Sequence, residues 1–440
     1  HNVLVYDLDE EKVEKLNSKD RDTIESCIHE QGLGDLLLQN RSRVKFSADY
    51  SDVEEFLDTC DAVFMCLPTP EIDETGESNL DFYFDAAEDL AEAMVDRNEG
   101  EQDKYITIVN KSTVPINMIE KTDEILEENG AENYGVAANP EFLSEGKAIR
   151  NALKPDRIVV GAWSEKDFEV LRDVYQRFYD SLDVKYIETN PKEAAAGKLL
   201  SNFYLFNKVA ICFDVIGRTC EAFENLQFEQ IRKIITSDKR ISDWGFHDSL
   251  YAGGSCFIKD ARSLSHQLQT QGEGANMVDE TYYANKRQLE TFISRAADEA
   301  DFDWSGKQVA LLGTAFKRGT NDIRNSPSIE IMRFLQENGA DQVKIHDPAA
   351  MENFREKFPA SEDVSYHQHE FDAVKGSDVV IISTDWPQFR GLADVMMAEM
   401  NGEDKPLIMD GRRMLQHRYD SLKQAGFDII AVGSPFIEGN

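Results

Sequence analysis

Residues 1–13 read HNVLVYDLDEEKV. Val3 to Tyr6 is a short β-branched and aromatic run that closes on Asp7 and Asp9, and a helical pattern starts at Glu10. The second strand of a dinucleotide-binding α/β unit ends in this way, with an acid at its carboxyl end for ribose hydroxyls. The glycine loop that precedes such a strand, G-x-G-x-x-G, occurs nowhere in the chain. The stretch is therefore expected to open a nucleotide-binding unit whose first strand, glycine loop and first helix, about 20 to 30 residues, are missing.

Working outward, strand patterns alternate with helical ones. Strands are predicted in Asp61–Pro70 (DAVFMCLPTP), Tyr105–Pro115 (YITIVNKSTVP), Tyr134–Phe142, Arg157–Ala162 and Val184–Thr189, with amphipathic stretches such as Leu80–Met94 between them. Near-continuous apolar strands separated by helices predict a mostly parallel sheet buried on both faces. Pro191–Glu224 is interrupted only by Gly197 and Gly217 and predicts one long, largely buried helix. Helical patterns continue over Asp260–Gln269 and Tyr283–Asp301, and strands restart at Lys307–Phe316, Asp341–Pro348, Asp378–Trp386, Lys405–Arg413 and Phe427–Gly433. The expected fold class is α/β, with two Rossmann-like doubly wound domains at residues 1–190 and 303–440. A long central helix and a helical middle domain, residues 191–302, are expected to join them.

The chain has 440 residues and a formal charge of −36 at pH 7. That charge repels nucleic acid and anionic membranes, so neither is expected as a partner, and any phosphate must be held by local Lys, Arg and backbone groups. Acidic residues are spread along the sequence, the pattern of a solvated surface, and suit adaptation to salt as well. No run of eighteen apolar residues occurs and His1-Asn2-Val3 lacks the basic start of a signal peptide, so the cytoplasm is the expected compartment. The six cysteines form no CxxC pair and have no histidine at metal spacing, and no metal site is expected.

Three segments point to chemistry. In YAGGSCFIKD, residues 251–260, paired glycines allow close backbone approach, and a helix beginning there would lower the pKa of Cys256. Cys256 reads equally as a covalent nucleophile or as a packed cysteine in a glycine turn. In NPEFLSEGKA, residues 139–148, Glu141 and Glu145 fall on one side of an expected helix start, facing a strand-end ligand or simply complementing the helix dipole. Lys198 and Asn202 lie one turn apart on an otherwise apolar helix, where a lysine is expected to snorkel to solvent unless it is held inside for a purpose.

Taken in order, Asp7, Thr69-Pro70, STVP (112–115), NPEFLSEG (139–146), Lys198 with Asn202, GGSCFIKD (253–260), FKRGTNDIRNSP (316–327) and Asp410-Gly411-Arg412 resemble the motif series of the UDP-glucose/GDP-mannose dehydrogenase family. Eight ordered matches over nearly the whole chain are far more specific than any one. The resemblance implies an enzyme that uses NAD to oxidise the C6 alcohol of a sugar nucleotide to a carboxylate, a four-electron reaction. It implies that Asp260, acting through water with Lys198 nearby, takes the hydroxyl proton, and that Cys256 attacks the C6 aldehyde to give a thiohemiacetal and then a thioester. Lys198 and Asn202 would stabilise the oxyanion, and Glu141 would assist the hydrolytic water that Thr113 positions.

By the same resemblance Asp7, Lys12, Thr69, Thr113, Glu145, Lys259 and Arg324 contact NAD. The carboxylate of Asp7 would repel a ribose 2′-phosphate, which favours NAD over NADP. Glu141, Phe142, Leu143, Lys198, Asn202, Tyr251, Gly253 and Lys317 would contact the UDP-sugar, and Arg240 would reach the substrate of a neighbouring subunit in a homodimer built on the central helix. Lacking the glycine loop, the chain as given is expected to bind NAD poorly or not at all, whereas the parent protein is expected to bind it well. Departures from the family lie at Tyr251 and Ala252, where a glycine and an aromatic are usual, and at the WPQF of Trp386. KPDRIVVG (154–161) looks more like enzymes of UDP-glucose than of GDP-mannose or UDP-N-acetylmannosamine, which stand as the alternatives. A third reading is a non-catalytic sugar-nucleotide-binding protein that has lost its NAD site.

Overall fold

Strand β1 (Val3–Tyr6) pairs in parallel with β2 (Val44–Ser47), and the two form a sheet of their own. The helix Glu10–Leu16 follows β1, capped by the Asp9 side chain, which accepts from the Lys12 amide. The computed structural model describes residues 1–28, 30–72, 75–99, 104–181, 183–246, 249–400 and 405–440. The chain divides into two units, residues 1–201 with 262–273 and residues 202–261 with 274–440.

The rest of the first unit is built on β3 (Ala62–Met65), β4 (Ile106–Asn110), β5 (Tyr134–Ala138), β6 (Arg157–Ala162) and β7 (Lys185–Thr189), ordered as numbered. All pairings are parallel except that of β5 with β6. Every residue of β4 is buried, as its continuous apolar run requires, and Ile106, Ile108 and Val109 pack on both faces of the sheet. Full burial of each such side chain is worth about 1.5–3 kcal/mol. The carboxyl ends of β3, β4 and β5 therefore lie side by side on a rigid platform, with Met65 opposite Asn110 and Asn110 opposite Ala138.

The second unit carries β8 (Gln308–Leu312), β9 (Gln342–His346), β10 (Val364–Tyr366), β11 (Val379–Ile382), β12 (Leu407–Asp410) and β13 (Ile429–Ala431). Their order, β10-β9-β8-β11-β12-β13, is all parallel and reverses direction next to β8, the doubly wound arrangement. Strands β2 and β10 have no counterpart in the apolar pattern of the sequence. Each is at most four residues long and sits at the edge of its sheet, where a strong apolar signal is not required.

Pro191–Ala222 is continuous, with a π-helical turn at Ile211–Gly217 inside it. The expectation of a largely buried helix needs correction. Leu200, Tyr204, Ile211 and Val215 form an exposed apolar stripe, while Ala194, Leu199, Phe206 and Phe213 face inward. The helix is long and apolar enough to cross a membrane by length and composition alone, with 44% of its most apolar window buried in the fold.

Candidate active site

In the first unit the strand-end platform gathers the predicted residues Thr69, Thr113, Glu141 and Lys198. The loops after β3 and β4 are tied together. Ser112 Oγ accepts from the Leu67 amide at 2.7 Å, and Thr69 Oγ1 donates to the Thr113 carbonyl at 2.8 Å. After β5, residues 139–144 run as an irregular turn and the helix begins only at Ala148, so Glu141 and Glu145 do not sit on a helix start as expected. Pro140 and the positive φ of Gly146 (72°) keep the segment out of helical conformation. The turn lets Glu141 face inward. Its Oε1 accepts from Lys198 Nζ at 2.8 Å and its Oε2 from the Leu143 amide.

Lys198 does not snorkel: it is 3% exposed, and its charge is answered by Glu141. A lysine buried against one carboxylate costs desolvation, which the pair's hydrogen bond offsets only in part. A cavity of about 10 Å³, close to the minimum for one water molecule, is lined by Thr113, Pro140, Ala195 and Lys198 among others. Phe142 is clamped between cations, with Arg157 stacked 3.8 Å and Lys198 5.5 Å from its ring centroid, while Leu143 is exposed. Arg157 escaped the sequence reading, although it lies inside the quoted KPDRIVVG.

At the end of β1, Asp7 accepts from Lys12 Nζ and from the Asp9 amide at 3.1 Å. Burial pushes the carboxyl pKa up, but the hydrogen bonds from Lys12 and Asp9 and the charge of Lys12 outweigh it, and the pKa lies below the ordinary value. Asp7 is thus an ionised acceptor open to solvent at a strand end. Asp7 can accept from the ribose hydroxyls of NAD.

The second unit gathers Asn202, Cys256, Lys259 and Asp260. The helix Cys256–Thr270 begins at the cysteine itself, so Cys256 is exposed at a helix N-terminus with Asp260 one turn behind it on the same side. Asp260 is buried, accepts from Asn202 Nδ2 at 2.6 Å and lies 2.9 Å from Lys259 Nζ. Asn202 sits four residues beyond Lys198 on the helix Pro191–Ala210.

The GGSC loop is packed against the loop that carries Lys317 and Arg324. Gly254 N donates to the Arg324 carbonyl at 3.0 Å, and Asn325 Nδ2 donates to Gly254 O at 3.1 Å. A Cβ at Gly253 would stand 2.5 Å from Asn325 O, so only glycine permits this approach. Arg324 forms a bidentate pair with Asp322, its Nε donating to Oδ1 and its Nη2 to Oδ2, and Lys317 Nζ lies 5.1 Å from the Phe316 ring centroid. Tyr251 is buried, and burial raises its hydroxyl far above the ordinary range. Arg240 projects from the surface and pairs with Asp238.

Family models match the chain in three consecutive parts. They are described as the NAD binding domain (residues 1–179), the central domain (192–287) and the UDP binding domain (310–417) of the UDP-glucose/GDP-mannose dehydrogenase family. A UDP-glucose 6-dehydrogenase of Haloferax volcanii is 32% identical over 432 residues, covering 96% of this chain and 94% of that one. One from Rickettsia bellii is 31% identical, covering 99% and 94%. Among solved structures, a UDP-glucose dehydrogenase from Pyrobaculum islandicum superposes with a TM-score of 0.83 at 28% identity, covering 100% of this chain and 93% of that one. The fold and these matches define an NAD-dependent oxidoreductase of the UDP-sugar dehydrogenase class. The chain belongs to the UDP-glucose/GDP-mannose dehydrogenase family.

Proposed function

We propose that the chain oxidises the C6 alcohol of UDP-glucose to the carboxylate of UDP-glucuronate in two two-electron steps. NAD, when bound, supplies the hydride acceptor for each oxidation, and Asp7 with Lys12, Thr69, Thr113, Glu145, Lys259 and Arg324 would hold it.

The chain's own residues account for the remaining work. Asp260, acting through water, takes the C6 hydroxyl proton as the alcohol becomes an aldehyde. The Cys256 thiolate, favoured by its helix N-terminus, adds to the aldehyde carbon to form a thiohemiacetal whose oxyanion meets Lys198 and Asn202. Loss of the second hydride gives a thioester. Glu141 draws a proton from a water held by Thr113, the water breaks the C–S bond, and the carboxylate leaves with Cys256 free again.

The pairing of buried Lys198 with Glu141 carries this reading, because an apolar helix gains little from a lysine there unless charge develops beside it. The identity of the relatives supports UDP-glucose as the sugar nucleotide. Initial rates of NADH formation by the full-length protein with UDP-glucose, GDP-mannose and UDP-N-acetylmannosamine test it. Turnover highest with UDP-glucose is expected, and none with UDP-glucose would overturn the choice.

The exposed stripe of Tyr204, Ile211 and Val215, with Met277 and Tyr283 also exposed, supports a homodimer through this face. Sedimentation should give a dimer, and Tyr204→Asp should shift it towards monomer. A monomeric parent protein would end the dimer proposal.

A further inference from the structure

Lys111 stands at the carboxyl end of β4 and belongs to none of the roles assigned above. Its backbone is fixed on both sides, because Lys111 N donates to Met65 O at 3.0 Å and Asn139 N donates to Asn110 O at 2.9 Å. Lys111 and Asn139 are thereby neighbours across the sheet, each the first residue beyond its strand. Lys111 Nζ donates to Asn139 Oδ1 at 2.8 Å and lies 3.4 Å from the Tyr175 hydroxyl, which itself donates to Asn139 Oδ1 at 2.5 Å. The other end of the same amide, Asn139 Nδ2, donates to the Val159 carbonyl of β6 at 2.7 Å. One amide is therefore held from three elements, and two residues later the chain presents Glu141 to Lys198.

An ammonium in this position is costly. It is half-buried, and its hydrogen bonds go to an amide and a phenol rather than to a carboxylate. A neutral donor would tie Asn139 equally well, so the charge itself has a use. The charged or titratable groups that face it are Cys66 from the end of β3, Tyr175 from the end of the helix Glu165–Val174, Glu141 from the turn and Lys198 from the long helix. Burial, the largest influence, and Lys198 disfavour its charge, whereas Cys66 and Glu141 favour it, and the pKa is pushed down to about 8.

We propose that Lys111 is a positioning residue of the dehydrogenase reaction: by clamping the Asn139 amide and setting a positive charge beside Glu141, it fixes the turn that aligns Glu141 with Lys198. The proposal rests on the roles given to Glu141 and Lys198 above. With Lys111 charged, Glu141 is held in place. Loss of that charge removes the attraction that holds Glu141, so the rate falls as the pH rises through the Lys111 value.

Full-length Lys111→Met, Lys111→Arg and Tyr175→Phe, compared with the parent chain, test this. For Lys111→Met, kcat for NADH formation with UDP-glucose should fall about tenfold to a hundredfold, the usual penalty of a misplaced group, with KM for UDP-glucose within about twofold of the parent. Lys111→Arg keeps donor and charge and should recover most of kcat. The ratio of parent to Lys111→Arg rates should decline as the pH passes about 8. Tyr175→Phe removes the second donor to Asn139, so its effect should not add to that of Lys111→Met in the double variant.

A crystal structure of Lys111→Met should show the Glu141–Lys198 hydrogen bond, 2.8 Å in the parent, broken. An intact pair, or a pH profile identical in parent and Lys111→Arg, overturns the proposal. Should the parent oxidise no UDP-sugar, the functional reading fails, and the crystal structure alone then decides the placement of the turn by Lys111.

Discussion

Asp7 and Asp347 end strands of the same kind and meet different fates. Each follows a parallel strand, β1 or β9, at the point where a dinucleotide-binding fold keeps an acid for a ribose. Asp347 is fully buried, and its carboxylate accepts from the amides of Thr314, Ala315, Ala349 and Ala350 and from Trp386 Nε1, at 2.7–3.0 Å. The loop after β8 thus points its amides at an internal acid, leaving no acceptor for a ribose. Asp7 is partly exposed and answered by Lys12 and one amide. A strand-end acid is legible in sequence, but its use depends on where the neighbouring loop aims its N–H groups.

Substitution should separate the two acids sharply. Asp347→Ala strands five donors in a dry site and should cost about 3–5 kcal/mol, lowering the melting temperature by roughly 10 °C or preventing folding of the second unit. A loss below about 1 kcal/mol would make Asp347 as dispensable as a surface acid. Asp7→Ala should lower the melting temperature by only about one or two degrees at neutral pH and raise KM for NAD about tenfold, with discrimination against NADP relaxed. An unchanged KM for NAD would remove Asp7 from the cofactor site.

Asp167 is a third acid and gives the smallest expected effect. It is buried like Asp347, but its carboxylate accepts only from hydroxyls, Tyr105 at 3.0 Å and Thr107 at 2.8 Å. Burial raises its pKa against those hydrogen bonds and the charge of Lys166. A raised folded value means that its favourable contribution is complete below the ordinary carboxylate pKa and is lost as the pH rises through the raised value. Asp167→Asn should therefore raise the melting temperature by a few degrees at neutral pH and give no gain in acid. Asp7 has the opposite sign: its pair with Lys12 contributes above the ordinary carboxylate value and is lost as the pH falls through the depressed one. Urea denaturation across pH 3 to 8 would read both signs, and parallel slopes for the two variants would break the contrast.

Much of the molecule was legible in the sequence because its strands are buried on both faces. The unbroken apolar runs of β4, β8, β11 and β12 leave little choice of period, and the motif order placed the strand-end residues. What escaped was decided by distant partners. The inward turn of Lys198 depends on Glu141, 57 residues earlier, and helix periodicity carries no sign of it. Nor does local pattern predict the irregular turn of residues 139–144, which is held through Asn139 by Lys111, Tyr175 and Val159. Lys111 was hidden in plain view before STVP, where a lysine closing a fully buried strand is the available signal.

The most direct test of the account is the stoichiometry of complete turnover. With limiting UDP-glucose and excess NAD, two NADH should form per UDP-glucose, with UDP-glucuronate as the product, and Cys256→Ala should abolish the second equivalent. One NADH per sugar from the parent protein, or two from Cys256→Ala, would contradict a four-electron oxidation through Cys256.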